Sequence, residues 1–212
     1  MCTLSIRDSL LVLGSVLAFA GPSLAADEPP VASSLGSYYG GERTSADLVM
    51  GIGAVSMGLG ASLVTRDSDV ARGAGWPLLT IGALEGIGAV FYAFQVDAEI
   101  AHYEGLLARD PVAYRRTELT HIHGTTSRFN LYRAIELGLA LVGAGLATYG
   151  FVAQSDVYKG AGIGIAAEAI PFFIIDTFNQ ARAARYEAEV RRFTPTIGVQ
   201  AGSWSLSFAG RF

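Results

Sequence analysis

Four stretches of this chain run almost without charge: residues 48–64, 77–96, 134–153 and 160–178. A helix that crosses a bilayer needs about 20 apolar residues, so each stretch predicts one crossing. Polar segments 65–76 and 154–159 join them in pairs and predict two helical hairpins, separated by the charged segment 97–133. The hydrophobic pattern continues beyond the second and fourth stretches. Val96, Ile100, Tyr103 and Leu107 follow a four-three-four spacing, and Ala183, Tyr186, Val190 and Phe193 a three-four-three spacing. Each reads as an amphipathic arm extending its helix by about four turns. The stripes Ile100, Tyr103, Leu107 and Tyr186, Val190, Phe193 are expected to pack on each other or to dock a partner.

After Thr194-Pro195 the period changes to two, with Ile197, Val199 and Ala201 before Gly202-Ser203, then Trp204, Leu206, Phe208, Gly210 and Phe212. That pattern predicts a short β-hairpin. Its last segment resembles the C-terminal strand that bacterial outer-membrane barrels present to their insertion machinery, and the resemblance implies an envelope location. The glycine-rich residues 49–64 do not alternate as barrel strands must, which favours helices. The fold expected is therefore an all-α membrane protein. It has four transmembrane helices in two duplicated helical hairpins with extended amphipathic helical arms, plus a short C-terminal β-hairpin.

The duplication rests on a gapless shift of 83 residues, which gives 13 identities over the 58 positions 47–104. Among them Glu85 falls on Glu168, and Tyr103-Glu104 on Tyr186-Glu187. The segments are then 47–109 and 129–193 as the repeats with their arms, 110–128 as an extramembrane helix and loop, and 194–212 as the tail. Asp110-Pro111 caps and starts that extra helix, and Gly124 to Ser127 are expected to break it. Residues 1–25 carry Arg7, an apolar run and small residues at Ser23 and Ala25, and read as a secretory signal with the mature chain starting at Ala26. Residues 26–46, with Pro29-Pro30 and Gly40-Gly41, read as a flexible linker.

Composition sharpens this picture. Over 212 residues, 51% are hydrophobic and 16% charged, with a net charge of -4. A chain so apolar is matched to lipid rather than to water. Its acidity and lack of basic runs argue against nucleic acid as a partner. The partners expected are the bilayer, a second copy or another envelope protein. Cys2, the only cysteine, lies in the signal segment, so disulfide chemistry is not expected.

The candidate chemistry is intramembrane. Glu85 and Glu168 fall mid-span at equivalent positions, where a carboxylate costs at least ~2.5 kcal/mol. Facing each other, they would share a proton or a cation, or else act as interhelical glue. Glu136 and Asp176 lie near a membrane boundary, and Arg133 is expected to pair with Glu136 and to reach Asp176. His121 and His123 point to opposite sides of a helix, which disfavours a shared metal and leaves helix capping. No nucleophile elbow, phosphate loop or paired-cysteine motif occurs, so no catalysis, cofactor or metal is expected. Two functions follow: a non-enzymatic envelope protein with a structural or partner-docking role, or a small transporter or channel built on the paired glutamates. The signal places the arms and tail outside the cytoplasm. Against that, 11 arginines lie on the arm side and three basic residues, Arg66, Arg72 and Lys159, on the other, the reverse of the usual bias.

Overall fold

The computed structural model describes residues 31–200 and 203–207, with side chains for 31–195. The expected signal segment, Phe208 and Phe212 lie outside the described residues. Four helices follow one another: α1 Val31–Val64, α2 Asp69–Arg109, α3 Pro111–Val152 and α4 Asp156–Arg192. All four are long and apolar enough to cross a membrane. A two-stranded antiparallel pair follows, β1 Thr196–Gln200 with β2 Ser203–Ser207, in a register that sets Ile197 opposite Leu206 and Val199 opposite Trp204.

The helix ends follow from local chemistry. Ser68 caps α2 by accepting from the Ala71 amide, so the first connection is only residues 65–68 and Trp76 is helical. The second connection, residues 153–155, turns through Gln154 at φ 54°, a conformation uncommon for a residue with a Cβ. Asp110 closes α2 by donating its amide to the Leu106 carbonyl and opens α3 by accepting from the Ala113 amide. Pro111 stands at the first position, where its missing N–H costs nothing.

Two expectations fail. Residues 31–46 are helical, not a flexible lead-in, and bury Ser34, Leu35, Tyr38, Tyr39, Glu42 and Ala46. These recur every one to four residues, but only Leu35 and Ala46 are aliphatic, so no aliphatic period announces the helix. The break expected at Gly124 to Ser127 is also absent, because α3 continues through it. Thr125, Thr126 and Ser127 return their hydroxyls to the carbonyls of His121, Ile122 and His123. That arrangement keeps their polar groups within the helix.

α1 packs along α2 and α3 along α4, with α2 against α4 between the hairpins. The molecule has two unlike ends. At the end bearing the arms, all four helices supply a hydrophobic core of Leu35, Tyr38, Tyr39, Val96, Tyr103, Leu107, Tyr114, Ile122, Phe129, Tyr186, Val190 and Phe193, with Ile100 packed against it. The arm stripes therefore meet each other in a head.

The other end is inverted: Leu84, Phe91, Phe94 and Leu141 face outward, while glycines face inward. A Cβ on Gly53 would come 2.7 Å from the Gly82 carbonyl oxygen, and one on Gly143 would come 2.7 Å from the Ala166 amide nitrogen. Where lipid provides no hydrophobic push, such close backbone approach is what holds helices together. Gly60 meets Leu79 in the first hairpin as Gly143 meets Gly162 in the second.

Candidate functional site

Carboxyl groups line the seam between the helices. Glu168, on α4, is 2% exposed; its carboxyl faces the Ser56 hydroxyl of α1, and its Oε1 has no hydrogen-bond partner. Glu85, on α2, is half-buried and lies within electrostatic reach of Glu168, Glu136 and Asp176. The carboxyls of Glu136 on α3 and Asp176 on α4 meet directly. Two carboxyls can hydrogen-bond only if one of them holds a proton. Four acids from three helices thus share one interior, and the two glutamates singled out by the repeat belong to it without touching each other.

Arg133 does not pair as expected. It donates to Gln180 and lies 5.3 Å from the centre of the Phe173 ring, and among the described residues no ion pair joins it to Glu136 or Asp176. Its guanidinium is drawn to the α4 side chains on its own face, and Oε2 of Glu136 is left buried without a hydrogen-bond partner.

The file continues towards the head through residues that periodicity does not single out. Asp176 contacts Asn179. The Asn179 Oδ1 accepts from Ser45 Oγ at 2.8 Å and from Arg182, which also donates to Ser45 Oγ at 2.8 Å. Arg182 lies 3.4 Å from Glu42 Oε1, and Tyr92 donates to Glu42 Oε2 at 2.5 Å. Gly41 makes room for this: a Cβ there would collide with the Arg182 side chain. Asp176, Asn179 and Arg182, spaced by three, form one stripe of α4, a polar signal that the sequence does contain.

A separate polar cluster fills the head. Glu118, fully buried, accepts from Tyr39 at 3.0 Å and has the Tyr103 and Tyr186 hydroxyls nearby. Tyr114 and Tyr186 share a hydroxyl contact of 2.8 Å, and the Tyr38 and Tyr186 rings stack at 4.5 Å. Burial pushes Glu118 up to about 7, against the pull of the tyrosine hydrogen bonds. It also raises the tyrosines themselves, so they stay donors. His121 lies 3.6 Å from Glu99 of α2 and is held below the ordinary imidazole value by burial. His123 reaches Glu187 of α4 at 3.3 Å. The two histidines thus bridge to different helices; neither caps a helix end, because α3 does not end there. Among the described residues, no group of three His, Cys, Asp or Glu is arranged to hold a metal.

Comparison with protein-family models, with curated proteins and with solved structures finds no match. The functional reading therefore rests on geometry.

Proposed function

We propose that this chain is a non-enzymatic integral membrane protein that handles protons or small cations through a file of carboxyls between its helices. The observation that carries this reading is the gathering of Glu85, Glu136, Glu168 and Asp176 from three helices into one interior, with apolar side chains turned outward around it. An acid inside a membrane is costly, which makes Glu85 and Glu168 functional candidates, with Glu136 and Asp176 extending the group towards the boundary. The docking role of the arm stripes has less support, since Tyr103, Leu107, Tyr186, Val190 and Phe193 are buried in their own core.

The two hairpins are read as a duplication. The shared Gly60–Leu79 and Gly143–Gly162 crossings, 83 residues apart in register, support it. We place the protein in a bacterial cell envelope, with the mature chain starting at Ala26 and the head and tail outside the cytoplasm. The signal-like segment 1–25 and the strand-like ending Trp204, Leu206, Phe208, Phe212 support that placement. The surrounding bilayer is the first partner. A second copy or another envelope protein is the candidate to pair with the tail, since an isolated two-stranded hairpin is marginal in water.

A structural role is the second reading, favoured by the tyrosine packing of the head. Vesicles loaded with a pH-sensitive dye separate the two. Under an imposed gradient the full chain should dissipate it faster than protein-free vesicles, and Glu85→Gln and Glu168→Gln should lose that flux while keeping helical content. Wild-type vesicles no faster than empty ones would remove the transport reading.

A further inference from the structure

Two contacts between α3 and α4 lie one helical turn apart, like successive rungs. On one rung Arg133 donates to the side-chain oxygen of Gln180, and on the next the carboxyls of Glu136 and Asp176 meet. Arg133 and Glu136 are three apart on α3, and Asp176 and Gln180 four apart on α4, spacings that set side chains on one helix face about 5–6 Å from each other. Each rung leaves one atom unsatisfied. Nε of Arg133 is buried with no acceptor, and Oε2 of Glu136 is buried with no donor, so the two needs complement each other across a single turn. A third residue keeps them apart. Asn130, one turn before Arg133, accepts from the Gln180 amide nitrogen at 2.6 Å, which turns the Gln180 oxygen towards the guanidinium, and the centre of the Phe173 ring lies 5.3 Å from it.

Resting on the reading of this interior as a proton site, we propose that Arg133 is a built-in competitor for the proton: held on Gln180 it leaves Glu136 and Asp176 to share one, and moved one rung along it takes the proton's place. The exchange balances. With Arg133 on Gln180 the pair is one carboxyl and one carboxylate, because two carboxylates in contact would repel. When the guanidinium reaches Glu136, the remaining O–H bond breaks, the proton passes to water at the head-side boundary, and two carboxylates stand against one guanidinium. Arg133 keeps its own protons throughout, since a guanidinium does not deprotonate in proteins. Arg133, Glu136 and Asp176 are all partly exposed, which leaves the side chain room to move and the proton a way out. Glu42 of α1, Glu85 of α2 and Arg133 of α3 are the titratable and charged groups that act on the pair.

Infrared spectra of the full chain in phosphatidylcholine vesicles, titrated with acid and base, test the exchange without relying on flux. Glu136→Gln and Asp176→Asn identify the carboxyl stretch of the pair by its loss, and the pH midpoint of that band is the quantity read. Gln180→Leu removes the tether without changing any charge. By freeing Arg133 it should lower the midpoint by about one pH unit or more, a tenfold weaker hold on the proton. Arg133→Gln should raise the midpoint by a similar amount, and adding Gln180→Leu to Arg133→Gln should move it no further, because the tether acts only through the arginine. If Gln180→Leu does not keep the wild-type helical content, Asn130→Ala loosens the same tether and should shift the midpoint in the same direction. An unchanged midpoint in the folded tether variant would overturn the competitor, as would an equal shift in the absence of Arg133, or a wild-type spectrum with no carboxyl band that Glu136→Gln or Asp176→Asn removes. The transport reading fails separately: vesicles without flux in which Gln180→Leu still shifts the midpoint leave the competitor standing and remove transport.

Discussion

Tyr39 on α1 donates to Glu118 on α3 at 3.0 Å, across 79 residues of sequence. These are diagonal helices whose backbones do not approach each other, so this side-chain contact joins them through the middle of the head. Tyr39→Phe leaves a fully buried carboxyl oxygen without its donor, and an abandoned buried acceptor costs about 1–3 kcal/mol. Thermal unfolding followed by circular dichroism in detergent should show a lower midpoint for this variant. Tyr149→Phe, on the exposed surface of α3, should leave the midpoint where it was.

The same carboxyl predicts a pH dependence. Burial raises Glu118 from the ordinary 4.5 to about 7 in the folded chain. A raised carboxyl is most compatible with folding when protonated, so its contribution is fully present below about 4.5 and is lost as pH rises through about 7. The whole shift corresponds to a few kcal/mol. Melting midpoints of the wild type should therefore fall between pH 5 and pH 8 by more than those of Glu118→Gln, whose amide cannot ionise. Parallel pH profiles for the two proteins would show that Glu118 does not titrate in this range.

Gly143 and Gly145 are two residues apart on α3 and should respond oppositely to alanine. At Gly143 the new methyl would press on the Ala166 nitrogen and the Gly162 oxygen, at 2.7 and 2.8 Å, while at Gly145 it meets nothing within 4 Å. Gly143→Ala should destabilise by about 1–3 kcal/mol, because backbone cannot move aside as a side chain can. Gly145→Ala should be neutral or should gain up to about 1 kcal/mol from helix propensity. Unfolding by sodium dodecyl sulfate in mixed micelles reads both.

Protease treatment of intact cells, of cells with a permeabilised outer membrane and of inside-out inner-membrane vesicles tests the sidedness. The signal-like start predicts that the head, and with it the Asp110-Pro111 corner, is cut from outside the cytoplasm, and that mass spectrometry finds Ala26 as the first residue. Cleavage from the cytoplasmic side with Met1 retained would instead follow the arginine distribution and reverse the orientation.

The sequence makes some parts of this architecture readable and hides others for physical reasons. The paired hairpins, the arms and the Asp110-Pro111 corner are visible because apolar period, capping residue and proline each act locally. The helix over 31–46 is hidden because its inward stripe consists of Ser34, Leu35, Tyr38, Tyr39, Glu42 and Ala46, of which only Leu35 and Ala46 are aliphatic. Glu85 and Glu168 stand out because carboxyls are rare in apolar spans, whereas Glu42 and Glu118 lie among other charges and become distinctive only once four helices close over them. Arg133 shows the limit of spacing arguments: being three residues from Glu136 offers a partner, but Gln180 and the Phe173 ring on the neighbouring helix take the guanidinium instead.

The unbroken course of α3 through Thr125, Thr126 and Ser127 has a mechanical consequence. Its 42 residues make a rod of about 60 Å, roughly twice the hydrocarbon thickness of a bilayer, with no swivel along its length. Axial torque applied where Tyr114 and Ile122 are gripped is delivered to Glu136 with little lost to slack, since a continuous helical ladder resists twisting far better than a loop does. The head is in that sense a handle on the carboxyls, and whatever clamps it sets the angle at which they face one another.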